Sequence, residues 1–316
     1  MYPRLTGLIA ATHTPLFPDG TLNLQAVEKQ AEYLAAAGVR GVFPGGSTGE
    51  SHSLTVEERL ALARRWTEVG KRCGLKVIIH VGHNCQADAR ALAAQAQEVG
   101  ADAVAALAPS YFKPAAIDQL LDFLTPIAGA APRLPFYYYD IPVMTAVTLP
   151  AAELLERGTA RMPNLAGLKF TNGDLLQLQE CLHVRDGAFD VLFGFDEMLL
   201  AALALGVRGA VGSTYNFAAP IYLRVLRAFA AGDWSAARAA QYDSVRLIRL
   251  LSKFGFAAAS KAAMGIAGVE CGPVRPPLRA LTDAEKTALR AQLESTGLLA
   301  LMKNSVAAAC GLAGAC

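Results

Sequence analysis

A (β/α)8 barrel of the TIM type with a C-terminal helical extension is the fold this sequence predicts, and three observations point to it. Short β-branched or apolar runs alternate with longer amphipathic stretches, the pattern of a parallel sheet with crossover helices. Eight such runs are used up by about residue 230, and eight is the number that closes a barrel. The helical remainder follows with no linker rich in Pro or Ser, so it is read as packed on the barrel.

The strands are expected at Leu8 to Ala11, Gly41 to Phe43, Val77 to Val81, Ala103 to Leu107, Phe136 to Tyr139, Leu165 to Phe170, Val191 to Phe193 and Ala210 to Gly212. Amphipathic stretches at Leu24 to Ala37, Val56 to Arg72, Ala87 to Val99 and Ala116 to Ala128 are long enough for crossover helices. Thr55-x-x-Glu58 and Thr282-x-x-Glu285 have the spacing of a capping box, in which both side chains satisfy orphan backbone amides. Gly-Val-Arg precedes the second strand and the eighth, placing Gly where a helix ends and a β/α unit repeats. The barrel is expected over residues 1–232 and the extension, interrupted by Pro273, Pro276 and Pro277, over 233–316, as one structural unit. A doubly wound open sheet is the competing fold, because periodicity does not show whether the first and last strands meet. The first strand is not followed by G-x-G-x-x-G, which disfavours a dinucleotide-binding version.

The 316 residues are 53% hydrophobic and 18% charged, which excludes disorder. With 29 Lys and Arg against 27 Asp and Glu, the net charge of +2 is too balanced for a nucleic-acid binder, and a small neutral or anionic ligand is expected. Mean hydropathy is +0.31, yet no run reaches the roughly 18 apolar residues of a spanning helix, so no membrane partner is expected. Met1 to Ala11 lacks the basic region and long apolar segment of a secretion signal, and a cytoplasmic location is the expectation. Cys73, Cys85, Cys181, Cys271, Cys310 and Cys316 form no C-x-x-C pairs and read as reduced structural thiols. The tail ends on Cys316 without a prenylation arrangement, and Ala307 to Ala315 is expected to be frayed or loosely docked.

In such a barrel the reactive groups come from the C-terminal ends of the strands, where the βα loops form one mouth. The polar residues there are Ser47, Thr48, Tyr139, Lys169, Asp196, Glu197 and Ser213. Lys169 ends an otherwise apolar run, and two-residue alternation predicts Leu165, Gly167 and Lys169 on one face, with Gly167 leaving room beside the lysine. Burial disfavours an ammonium charge, and a neutral amine can attack a carbonyl to form an imine. A lysine snorkelling to solvent fits the same position. Tyr139 shares a face with Tyr137 and could relay a proton near an imine, although a Tyr-rich strand also fits plain core packing. Gly45-Gly46-Ser47-Thr48-Gly49-Glu50 offers hydroxyls and amides suited to a carboxylate, or else an ordinary tight turn, and lacks the lysine of a phosphate loop. His80 and His83 hint at a metal, but the sequence shows no third ligand at plausible spacing, and no metal or cofactor is expected. His13 stands alone in Thr12-His13-Thr14, and Cys85 has no neighbouring histidine dyad in sequence to make it a nucleophile.

Four motifs occur in order: Gly45-Gly46-Ser47-Thr48-Gly49-Glu50, Tyr139-Asp140-Ile141-Pro142, Gly167-Leu168-Lys169-Phe170-Thr171 and Gly212-Ser213-Thr214-Tyr215-Asn216. Together they make the chain resemble the N-acetylneuraminate lyase (sialic acid aldolase) family, among the pyruvate-dependent class I aldolases related to dihydrodipicolinate synthase. The likeness runs from about Leu5 to the final helices. It implies an imine between Lys169 and pyruvate, carboxylate binding by Ser47 and Thr48, and proton transfer by Tyr139. It further implies that Thr171, Gly194, Asp196, Glu197 and Ser213 line the sugar-binding part of the pocket. Tyr111 matches a family tyrosine that reaches a neighbouring subunit's site, which implies a homotetramer. The small-molecule partners implied are sialic acid, pyruvate and N-acetylmannosamine.

The related synthases carry Gly-Arg-Thr after the strand-five proline, whereas this chain has Pro142-Val143-Met144-Thr145, so synthase activity is the weaker expectation. Asp140 stands where the lyases more usually have Asn or His, and Asn172-Gly173 replaces a pair commonly containing Asp. The rivals are an aldolase or dehydratase for another 2-keto-3-deoxy sugar acid and a catalytically silent sugar-binding barrel. Joint retention of Lys169, Tyr139 and Thr48 argues against the silent barrel.

Overall fold

The computed structural model describes residues 2–303; the tail at 307–315, Cys310 and Cys316 lie outside the described residues. In chain order the elements are β1 (Gly7–Ala10), α1 (Ala26–Ala36), β2 (Gly41–Val42), α2 (Val56–Arg72), β3 (Lys76–His80), α3 (Gln86–Glu98), β4 (Ala103–Leu107) and α4 (Ile117–Gly129). Then come β5 (Phe136–Asp140), α5 (Pro142–Thr145), α6 (Ala151–Gly158), β6 (Leu165–Phe170), α7 (Leu175–His183), β7 (Asp190–Phe193), α8 (Leu199–Ala204), β8 (Gly209–Gly212) and α9 (Tyr215–Ala230). The extension supplies α10 (Trp234–Ser252), α11 (Phe256–Ile266), α12 (Asp283–Ser295) and α13 (Leu298–Lys303).

The eight strands are parallel and the sheet closes on itself, β1 pairing with β8 from Gly7 opposite Gly209 to Ala10 opposite Gly212. That closure decides for the barrel against the open sheet. Both capping boxes form, Thr55 with Glu58 at the start of α2 and Thr282 with Glu285 at the start of α12. Gly38 and Gly206, the glycines of the two Gly-Val-Arg phrases, take left-handed φ of +82° and +103° just beyond α1 and α8.

Strand alternation separates two cores. One lies inside the barrel and includes Ile9, Phe43, Ile78, Ala105, Leu107, Tyr137, Tyr139, Leu192 and Val211. The other fills the layer between sheet and helices, with Val42, Val77, Val104, Phe136, Tyr138, Leu168, Phe170 and Trp66 among its members.

The expected single face for Leu165, Gly167 and Lys169 is corrected by a bulge. Phe136 pairs with Leu165, but Tyr137 pairs with Gly167, so Ala166 is an extra residue. Leu165 consequently belongs to the outer core, while Ala166 packs against the inner one. Gly167 also has a different reason from the one expected. A Cβ there would lie 1.7 Å from the carbonyl oxygen of Asp190, so the glycine admits the backbone of β7 rather than making room for the lysine.

Candidate active site

Lys169 sits one residue before the end of β6 and is only 4% exposed. Its Nζ lies 3.8 Å from the centroid of the Tyr139 ring and 4.2 Å from that of Phe43. The aromatic faces stabilise a cation without supplying a proton acceptor. Among the described residues Lys169 has no ion-pair partner, so its amine is not committed to a carboxylate.

Tyr139 stands directly opposite Lys169 in the β5–β6 register and is buried. Edge-on packing by Phe43 and His80, each at 5.6 Å between centroids, fixes its ring. Its hydroxyl is 3.3 Å from Ser47 Oγ, and Thr48 Oγ1 is 2.6 Å from Ser213 Oγ. The loop after β2 thus touches both the fifth strand and the turn after the eighth.

That loop is held from two sides. His80 Nδ1 donates to the Gly45 carbonyl at 2.6 Å. Burial, reinforced by the Arg59 charge, holds the His80 pKa well below its usual value and the ring neutral. Arg59 in turn donates to the carbonyls of Gly82 and His80 at 3.0 and 2.9 Å. On the other side Thr14 Oγ1 donates to the Gly49 carbonyl at 2.6 Å, and Glu50 meets Lys261 of α11 at 2.8 Å. Glu50 is legible within its motif, whereas Lys261, Phe43 and Arg59 lie far from the motifs along the chain or carry no catalytic signature alone.

Asp196 stands in the turn after β7, the strand that pairs with β6. Its Oδ2 accepts from the Thr214 amide at 2.8 Å and the Thr214 hydroxyl at 2.5 Å. Burial raises its pKa to about 6, with the Thr214 hydrogen bonds opposing. Glu197 is half-buried and makes no side-chain hydrogen bond or ion pair among the described residues. Thr171 is buried, and its Oγ1 has no partner among the described residues. Gly194 brings its backbone against that hydroxyl, its own amide donating to the Phe170 carbonyl at 2.8 Å. Asp140 and Asn172, the two departures from the lyase pattern, touch each other, Asn172 Nδ2 donating to Asp140 Oδ2 at 3.2 Å.

Tyr111 is not brought to the other candidates within this chain. It is 77% exposed and meets the still more exposed Phe112 edge-on at 4.9 Å between centroids. Asn84 Oδ1 supports the tip by accepting from the amides of Ser110 and Tyr111 at 2.8 and 3.3 Å. The expectation of no third metal-type ligand near His83 also needs correction. His83, Cys85 and Asp88 gather together, because the first turn of α3 carries Asp88 back over the loop, while His80 points into the barrel mouth. A cavity of about 610 Å³ between the loop after β1 and helices α11 and α12 contains none of the expected site residues.

The strand ends therefore bring together a buried amine without an ion-pair partner among the described residues, the ring of a phenol against it, and the hydroxyls of two loops, with the Asp196 and Glu197 carboxyls in the turn after β7. Residues 4–296 match the model of the dihydrodipicolinate synthetase family. N-acetylneuraminate lyase of Gallus gallus is 42% identical over 301 residues, covering 93% of this chain and 98% of that protein. Among solved structures, Proteus mirabilis N-acetylneuraminate lyase superposes with a TM-score of 0.90 at 38% identity, covering 93% of this chain and 99% of the other. A catalytic-lysine mutant of Ruminococcus gnavus sialic acid aldolase gives 0.88 at 28% identity, covering 94% and 96%. With a match spanning nearly the whole barrel and extension, the chain belongs to the dihydrodipicolinate synthetase family.

Proposed function

We propose that this chain is a class I aldolase that cleaves N-acetylneuraminate reversibly to pyruvate and N-acetylmannosamine through a Schiff base on Lys169. The observation that carries the reading is the line from Lys169 Nζ, over the Tyr139 ring, to the Tyr139 hydroxyl and Ser47. The relatives' names supply the substrate class, and one solved relative is a catalytic-lysine mutant of a sialic acid aldolase.

In the cleavage direction the Lys169 amine adds to the C2 ketone of the open-chain sugar acid, and water leaves to give a protonated imine. Tyr139 takes the proton of the C4 hydroxyl as its own phenol proton passes to the substrate carboxylate, which gives it up again when C3 is protonated. The C3–C4 bond then breaks, its electrons passing into the iminium to form an enamine, and the aldehyde departs. Protonation at C3 and hydrolysis release pyruvate and regenerate Lys169. Ser47 and Thr48 hold the carboxylate; Thr171, Gly194, Asp196, Glu197 and Ser213 face the sugar chain. The exposed Tyr111 and Phe112 support a homotetramer in which Tyr111 reaches a neighbouring site. The buried Glu50–Lys261 contact supports a barrel and extension that act as one unit. No described helix is long and apolar enough to cross a membrane, which is consistent with a cytoplasmic location.

Borohydride added with pyruvate tests the reading: a reduced adduct should map to Lys169. Labelling of another residue, or no labelling, would overturn it.

A further inference from the structure

We propose that His83, Cys85 and Asp88 form a binding site for a divalent ion of the zinc class at the rim of the barrel, separate from the reaction centre. One donor atom from each of the three side chains lies within 4.8 Å of the others. Cys85 caps α3 and Asp88 stands in its first turn, so helix formation itself brings the carboxylate to the thiol and the imidazole. His83 Nδ1 is 3.5 Å from an Asp88 oxygen.

The donor set selects the metal. A thiolate and an imidazole favour zinc-class ions over magnesium or calcium, which take oxygen donors. Bonds of roughly 2.0 to 2.3 Å put tetrahedral donors roughly 3.5 Å apart, so the three groups need to close by only about 1 Å. All three are partly or fully exposed, so rotamer changes suffice. His83 Nδ1 accepts the Cys85 amide at 2.9 Å, which leaves the ring proton on Nε2 and a lone pair on the Cys85 side. Metal takes over that lone pair and the amide turns to solvent. Cys85 gives its thiol proton to solvent, so thiolate and carboxylate balance the two positive charges, and water completes the fourth position.

The position gives the site a consequence. Asn84, between two of the ligands, accepts from the amides of Ser110 and Tyr111 and so carries the Tyr111–Phe112 tip. A metal held by its neighbours stiffens that support without touching Lys169.

Cobalt(II) titration of the reduced full-length protein tests this. One equivalent should bind with a sulfur-to-cobalt charge-transfer band and tetrahedral visible bands, and zinc but not magnesium should displace it. Cys85→Ser should abolish the charge-transfer band. His83→Gln and Asp88→Asn should each weaken binding by roughly tenfold or more. Cys73→Ser and a Cys310→Ser/Cys316→Ser double variant should bind as the parent does. A missing charge-transfer band, one that survives Cys85→Ser, or one lost with the other thiols would overturn the proposal. Aldolase activity and adduct trapping at Lys169 are separate readouts, so this proposal and the proposed function can fail independently.

Discussion

Lys261 Nζ lies 2.8 Å from a carboxylate oxygen of Glu50, and the two side chains are only 2% and 4% exposed. Each partner has a second anchor. Lys261 also donates to the Pro273 carbonyl at 2.7 Å, and Glu50 accepts from the Arg275 amide at 2.7 Å. Burial lowers the Lys261 pKa while Glu50 pulls it back up. The extension therefore holds the residue that ends the loop bearing Ser47 and Thr48.

Lys261→Met should destabilise the protein by about 3–5 kcal/mol, because it leaves Glu50 buried without a counter-ion. The Lys261→Met/Glu50→Gln double variant should recover much of that loss while still raising KM for pyruvate in the condensation direction. Denaturant titration and steady-state kinetics check both parts. An unchanged KM in the double variant would confine the pair to a stabilising role.

Tyr139→Phe removes the hydroxyl beside Ser47 but keeps the ring over Lys169. Turnover should fall roughly 10²- to 10⁴-fold, the range for losing a general acid or base, while borohydride still traps pyruvate on Lys169. Near-normal turnover would remove Tyr139 from the proton transfer.

Asp196→Asn keeps an acceptor for Thr214 and removes the charge. A hydrogen bond to a charged group contributes about 1.5–3 kcal/mol, so kcat/KM for N-acetylneuraminate should drop roughly ten- to 150-fold. The loss should be smaller for 2-keto-3-deoxygluconate, whose chain is shorter. Equal losses for both, with the shorter acid preferred by the parent, would transfer the assignment to another sugar-acid aldolase.

Burial raises the Asp140 pKa from 3.8 to about 6, with the Asn172 hydrogen bond opposing. Between those values the folded chain binds more protons than the unfolded one, so this carboxyl supports folding in acid and opposes it increasingly as pH rises towards 6. Two pKa units correspond to at most about 3 kcal/mol. Asp140→Asn should therefore gain up to about 3 kcal/mol relative to the parent on going from about pH 4 to about pH 7. His13 and His80, held neutral by burial, weaken both proteins in acid and cancel in the difference. Urea titrations of the two proteins across that range check the sign; a pH-independent difference would mean that Asp140 is ionised as readily when folded as when unfolded.

Local rules carried most of the fold. The span of β6 and both capping boxes follow from residue type and spacing. Alternation failed at Leu165, because a bulge depends on the register of a partner strand that one segment does not contain. At the mouth, polar residues ending strands were legible, since barrel geometry converts a strand end into a place. Lys261 was not, because its partner is 211 positions away, from Glu50 to Lys261, and a lysine within an alanine-rich helix carries no local sign of burial. Asp88 was hidden for the opposite reason: it is near His83 in sequence, but only the helical turn shows that the two converge.

The extra residue in β6 makes the direction of Lys169 a matter of parity. Counting one for one from the Phe136–Leu165 pair would set Leu168 opposite Tyr139 and aim Lys169 at the helices. Just upstream, the Asn164 side chain is fixed by hydrogen bonds to the carbonyls of Ala128, Ala131 and Leu134. One spare position, Ala166, lets that anchor and an inward lysine coexist. Exchanging Ala166 for another small residue keeps the count even, whereas removing it forces either the Asn164 anchor or the Lys169–Tyr139 pairing to give way. Chain length here is constrained more tightly than chemical identity.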